Sequence, residues 1–132
     1  MFTLGTGKLT ADQFYEIIKD NDVSILIDVR SKPRGWNRGL WKSALMKRYG
    51  DKYHWLGEKL GGFDIDENYG SPDWIEGINE IIELSRTGRL AIFCAEDDPE
   101  RCHRSIIANE LEKRGFRVIN IRDSTCMHWE EI

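Results

Sequence analysis

Long apolar runs are missing from this 132-residue chain: none approaches the roughly 18 residues of a membrane span. The opening stretch, MFTLGTGKLT, has neither the basic nor the hydrophobic region of a secretory signal. A soluble, cytoplasmic protein without membrane association is therefore expected. Cysteine is scarce and odd in number, three in all, which excludes a disulfide framework and makes reduced thiols the default. With three prolines and 12 glycines, collagen-like and low-complexity classes are excluded as well.

A net charge of −4 gives no general affinity for nucleic acid, but it averages over unlike parts. Residues 1–50 carry +4, residues 51–100 carry −9, and residues 101–132 carry +1. Within the first part, residues 29–50 hold seven bases and no acid: Arg30, Lys32, Arg34, Arg38, Lys42, Lys47 and Arg48. An acidic protein thus carries one basic stretch.

No linker or repeat divides the chain, and its length suits one domain over residues 1–132. Hydrophobic periodicity alternates between two patterns. Phe2 to Leu4, Val23 to Val29, Leu90 to Cys94 and Phe116 to Ile121 read as strands, with Tyr53 to Leu56 as a short one. Between them run helices: one opened by a Thr10–Gln13 capping box, one through Leu40, Trp41, Ala44 and Leu45 to Gly50. Ser71-Pro72 and Asp98-Pro99 open two more, closed by Gly88 and Gly115. GEKLGG (57–62) and the tail DSTCMHWEEI read as turn and irregular chain. The alternation predicts an α/β fold: a single three-layer domain of about five mostly parallel strands with helices on both faces.

Ligands of such sheets bind outside the carboxyl ends of the strands. Those ends deliver Thr6, then Asp28 and Arg30, then Cys94 and Glu96, with Cys102, His103 and Arg104 in the following helix. Cys126 and His128 follow the last strand. Cys94, just before a helix start, suits a nucleophile, although the acids around it raise a thiol's pKa and a packed cysteine fits equally. His103 on the core-facing stripe of its helix needs partners, and Asp28 is one: a pair suited to acid–base work or to a structural brace. Arg30 and Arg104, with Thr6 and Cys102 beside them, would hold an anionic substrate.

The basic stretch offers a second reading. Arg34, Trp36, Arg38 and Lys42 mix bases with aromatics, as stacking on nucleotides and contact with phosphates require. Trp41 fits the core by its helical spacing, whereas Trp36 lies in the loop. The spacing of Cys94, Cys102, His103, Cys126 and His128 matches no structural zinc pattern, and no cofactor motif is present. Three classes remain: an enzyme using Cys94 or His103 with Asp28 and Glu96 on an anionic substrate; a nucleotide or nucleic-acid binding module; and a structural or interaction protein.

The strings LIDVRSKPR, KLGG and FCAEDDPERCHRSIIANELEKRGF, in that order, resemble the family called domain of unknown function 488. The resemblance covers nearly the whole chain and is carried most specifically by C-x-E-x-x-P-x-x-C-H-R at 94–104. It implies a compact α/β domain without an established activity. The positions it carries over are Asp28, Arg30, Pro33, Gly61, Gly62, Cys94, Glu96, Pro99, Cys102, His103 and Arg104. A looser resemblance to rhodanese-like domains would put Cys94 in the place of a sulfur-carrying cysteine. The loop after Cys94 departs from that pattern, being longer and carrying four carboxylates.

Overall fold

The computed structural model describes residues 1–30, 32–33, 37–60, 70–95, 103–123 and 128–131, the backbone alone at 103–104, 122–123 and 128–131. Its elements follow one another as β1 (Phe2–Gly5), α1 (Ala11–Asp20), β2 (Ile25–Asp28), α2 (Lys42–Tyr49), β3 (Tyr53–Trp55) and α3 (Gly57–Leu60). Then come α4 (Pro72–Ser85), β4 (Leu90–Cys94), α5 (His103–Lys113), β5 (Ile119–Asp123) and β6 (His128–Glu131). Short 3-10 turns at Arg38–Leu40 and Gly50–Lys52 flank α2.

One sheet runs through the molecule in the order β3-β2-β4-β1-β5-β6. The first five strands are parallel; β6 runs antiparallel to β5. The chain is thus an α/β protein, as the alternation of periods predicts. Centrality explains the composition of β2 and β4, whose residues Ile25 to Asp28 and Leu90 to Cys94 are all buried. A strand covered on both faces has no side left for polar alternation.

Each face of the sheet builds its own core. Phe2, Leu4, Leu26, Ala91 and Phe93 pack against Phe14, Ile17 and Ile18 of α1 and Leu45 of α2. The other face sets Ile25, Ile27, Leu90 and Ile92 against Leu60 of α3, Ile78 and Ile81 of α4, and Ile107 and Leu111 of α5. The helix starts follow local chemistry. Thr10 and Gln13 form the reciprocal capping box on α1, and the Ser71 hydroxyl accepts from Trp74 N–H ahead of Pro72 on α4. The start expected at Asp98 lies outside the described residues.

Two elements differ from the sequence expectation. GEKL forms the short helix α3 where turns are expected, and His128–Glu131 form an edge strand where a tail is expected. Among the described residues no helix is long and apolar enough to cross a membrane.

The two-faced arrangement positions the site. The chain leaving β2 passes to the face of α2, and the chain leaving β3 passes to the opposite face through α3. Neighbouring parallel strands whose connections part in this way leave a crevice at their carboxyl ends.

Candidate ligand-binding cleft

A buried polar bracket joins the chain segments at that crevice. Asp28, the last residue of β2, is fully buried, and Arg30 two residues on is 7% exposed. In extended chain, positions i and i+2 share a side, so the two side chains meet. Arg30 Nε and Nη2 donate to the two Asp28 carboxylate oxygens, each at 2.8 Å, and the Arg30 backbone N–H adds a third bond at 3.1 Å. Tyr53 of β3 donates its hydroxyl to Asp28 Oδ2. Nη2 also donates to the Leu40 carbonyl at 2.7 Å, tying the turn before α2 to the sheet.

The electrostatics follow from this packing. Burial opposes the Arg30 charge, but the hydrogen bonds and attraction of Asp28 outweigh it, so the guanidinium holds its proton more firmly than usual. Burial first, then the Asp28 charge, pushes the Tyr53 phenol well above its ordinary value. A fully desolvated carboxylate is tolerable because both oxygens are satisfied.

Over the bracket lies the cleft, about 820 Å³ in volume and bordered by Lys32, Pro33, Trp41, Lys42, Met46 and Trp55 among others. Trp55 is fixed from behind by a 2.7 Å bond from its Nε1–H to the Arg30 carbonyl. The Lys42 ammonium lies 4.1 Å from the centre of the Trp55 ring, and the Arg38 guanidinium 5.7 Å from Trp41. Met46 is 51% exposed, apolar surface of the kind that ligand sites leave open. Helix α2 enters the cleft without a side-chain cap. Its Lys42 N–H donates to the Pro33 carbonyl, and the first intrahelical bond runs from Leu45 to Trp41. The N–H groups of Ser43 and Ala44 have no intrahelical acceptor.

The other carboxyl-edge residues are arranged differently. Cys94 is 1% exposed and disulfide-bonded, its partner lying outside the described residues. This corrects the expectation of reduced thiols, since a low cysteine count does not prevent one pair from closing. In the bonded form Cys94 has no thiolate to offer. Thr6 turns inward: its N–H and hydroxyl both donate to the Cys94 carbonyl, at 2.9 and 3.2 Å.

Family comparison completes the picture. The family model described as domain of unknown function DUF488 matches residues 10–111. The chain belongs to that family. Comparison with curated proteins and with solved structures gave no match. Nothing in these comparisons supports the likeness to rhodanese-like domains. Asp28, Arg30 and Pro33, which fall within the matched range, all lie at the β2 end of the cleft or in its bracket.

Of the residues singled out in the sequence, Asp28, Arg30, Lys42 and Arg38 come together around the cleft. Among the described residues Asp28 is partnered by Arg30 and Tyr53, which bond to both carboxylate oxygens; the expected pairing with His103 falls on a side chain outside them. Arg30, expected to hold substrate, bonds through Nε and Nη2 to Asp28 and Leu40. Backbone places His103 and Arg104 at the start of α5, but their side chains, and Glu96, Cys102, Arg34 and Trp36 entirely, lie outside the described residues. Trp41, expected in the core, is half-buried and borders the cleft. Sequence reasoning missed Tyr53 and Trp55, which only the pairing of Leu26 with Tyr53 and Asp28 with Trp55 brings to the site.

Proposed function

We propose that the cleft binds a nucleotide, either free or as one unit of a nucleic acid. What supports this most is the joining of two indoles and two lysines in one crevice at the carboxyl edge of a parallel sheet. Trp41 and Trp55 offer surfaces on which a base can stack. Lys32, Lys42 and the uncapped start of α2 offer positive charge and N–H donors for a phosphate. Lys42 covers the Trp55 ring, so an arriving base displaces a flexible ammonium toward the phosphate. The volume lies within the range of small-ligand sites, about 300–1,000 Å³.

Tryptophan fluorescence titrated with nucleoside monophosphates, nucleosides and inorganic phosphate tests the proposal. The monophosphates should quench and saturate, with nucleoside and phosphate each weaker. Trp55→Ala should cost about 1–3 kcal/mol of binding, the usual worth of one base–aromatic stack. Lys42→Glu should weaken the monophosphate far more than the nucleoside. Absence of saturable quenching by every monophosphate and by a short oligonucleotide alike refutes the reading.

A further inference from the structure

A second recess lies at the other end of α2. It measures about 410 Å³ and is bordered by Tyr15, Lys19, Arg48, Tyr49 and Lys52, with Glu16 the one acid among the described lining residues. Its chemistry repeats that of the cleft. The Arg48 guanidinium lies 3.6 Å from the centre of the Tyr15 ring and 5.9 Å from that of Tyr49. The two phenol rings are 6.2 Å apart at 64°. Guanidinium and phenol planes both stack on bases, and three cations against one carboxylate favour a phosphate nearby. No part of this recess is needed to bind a mononucleotide in the cleft.

The separation fits a chain. Helix α2 runs from Lys42 to Tyr49, a rise of about 10 Å, the span of a few nucleotides of single strand. Lys47, exposed on α2, lies between the two ends. Helix α2 itself carries Lys42, Lys47 and Arg48 and no acid, whereas Asp73, Glu76, Glu80 and Glu83 belong to α4, which packs on the opposite face of the sheet; the α2 face also holds Asp12, Glu16 and Asp20 of α1 and Asp51 after α2. A polyanion is thus drawn to the exposed side of α2 rather than to α4.

We infer that the ligand is a single-stranded nucleic acid that lies along α2, with one nucleotide in the cleft and another, a few steps away, against Tyr15, Arg48 and Tyr49. Separate aromatic recesses require bases that are not already paired in a duplex. This rests on the cleft reading above and adds to it a second contact and a length.

Labelled oligothymidylates and oligouridylates of roughly two to eight nucleotides, beside thymidine and uridine monophosphate, provide the test. Affinity should rise by about tenfold or more up to four or five nucleotides and then level off. The double variant Arg48→Glu/Lys52→Glu alters only exposed side chains. It should lose that gain and bind the longer oligomers about as weakly as a monophosphate. Its salt dependence should be shallower by about 1.4 in the log–log slope, two phosphate contacts at about 0.7 each. Equal affinity for monophosphate and octamer, or an unaffected double variant, overturns the inference and leaves the cleft reading standing. If neither monophosphate nor oligomer binds, both fall together. Preference between the two sugar series separates DNA from RNA.

Discussion

The indole of Trp55 is hydrogen-bonded to the backbone carbonyl of Arg30, joining the ends of two adjacent strands across the floor of the cleft. Gly57 makes this possible. A Cβ at that position would sit 1.9 Å from the Arg30 oxygen and 2.5 Å from Trp55 Nε1, inside the bond itself.

Gly57→Ala should therefore act on fold and site together. The backbone oxygen cannot retreat without disturbing β2, so a loss of about 2–3 kcal/mol is expected, at the upper end for overpacking. Urea unfolding gives the first figure, and a changed tryptophan emission of the folded protein gives the second. An alanine variant with wild-type stability and emission would refute the account of the Trp55 anchor.

Asp28 supports the same floor from below. Asp28→Ala leaves a buried guanidinium without its carboxylate and the Tyr53 hydroxyl without its acceptor, a defect of about 3–5 kcal/mol. Adding Arg30→Met should recover a large part, because the stranded charge leaves with its partner. Denaturant unfolding of the two singles and the double measures this coupling. Simple additivity would show that the bracket is not a unit.

Much of the fold was legible because its signals are local. The β-branched run in Ile25 to Val29 and the apolar run in Leu90 to Cys94 mark central strands, and Thr10 with Gln13 marks the start of α1 by side-chain chemistry alone. Strand β6 was not legible, since His128-Trp129-Glu130-Glu131 has no apolar alternation and is specified by pairing with β5. At the site, the two-residue spacing of Asp28 and Arg30 was a usable signal: extended chain puts both on one side. The places of Tyr53 and Trp55 depend on strand register, which one sequence does not reveal.

Alkaline pH should weaken the fold through Tyr53. Burial and the Asp28 charge raise the phenol's pKa in the folded state, whereas the unfolded chain ionises near the ordinary value of about 10. The unfolded state therefore loses protons first. The stabilisation is complete below about pH 10 and declines as pH rises above it. Tyr49, raised by burial, adds in the same direction. Melting temperature followed from neutral to strongly alkaline pH should fall beyond that point. Tyr53→Phe should start lower and fall less steeply; an equally steep fall would exclude Tyr53 as the source.

Cys94 offers the clearest division between binding and thiol chemistry. Buried and disulfide-bonded, it should resist alkylation in the native oxidised protein, and non-reducing digestion should give its peptide joined to that of Cys102 or Cys126. After reduction the thiol is still buried in the core at the end of β4, so alkylation should stay slow until the protein is denatured. The cleft borders β2 and β3 and not β4, so nucleotide affinity should be the same with and without reductant. Rapid alkylation of reduced Cys94 with an apparent pKa well below about 8.5, protected by phosphate, would instead return the carboxyl end of β4 to consideration as a catalytic site.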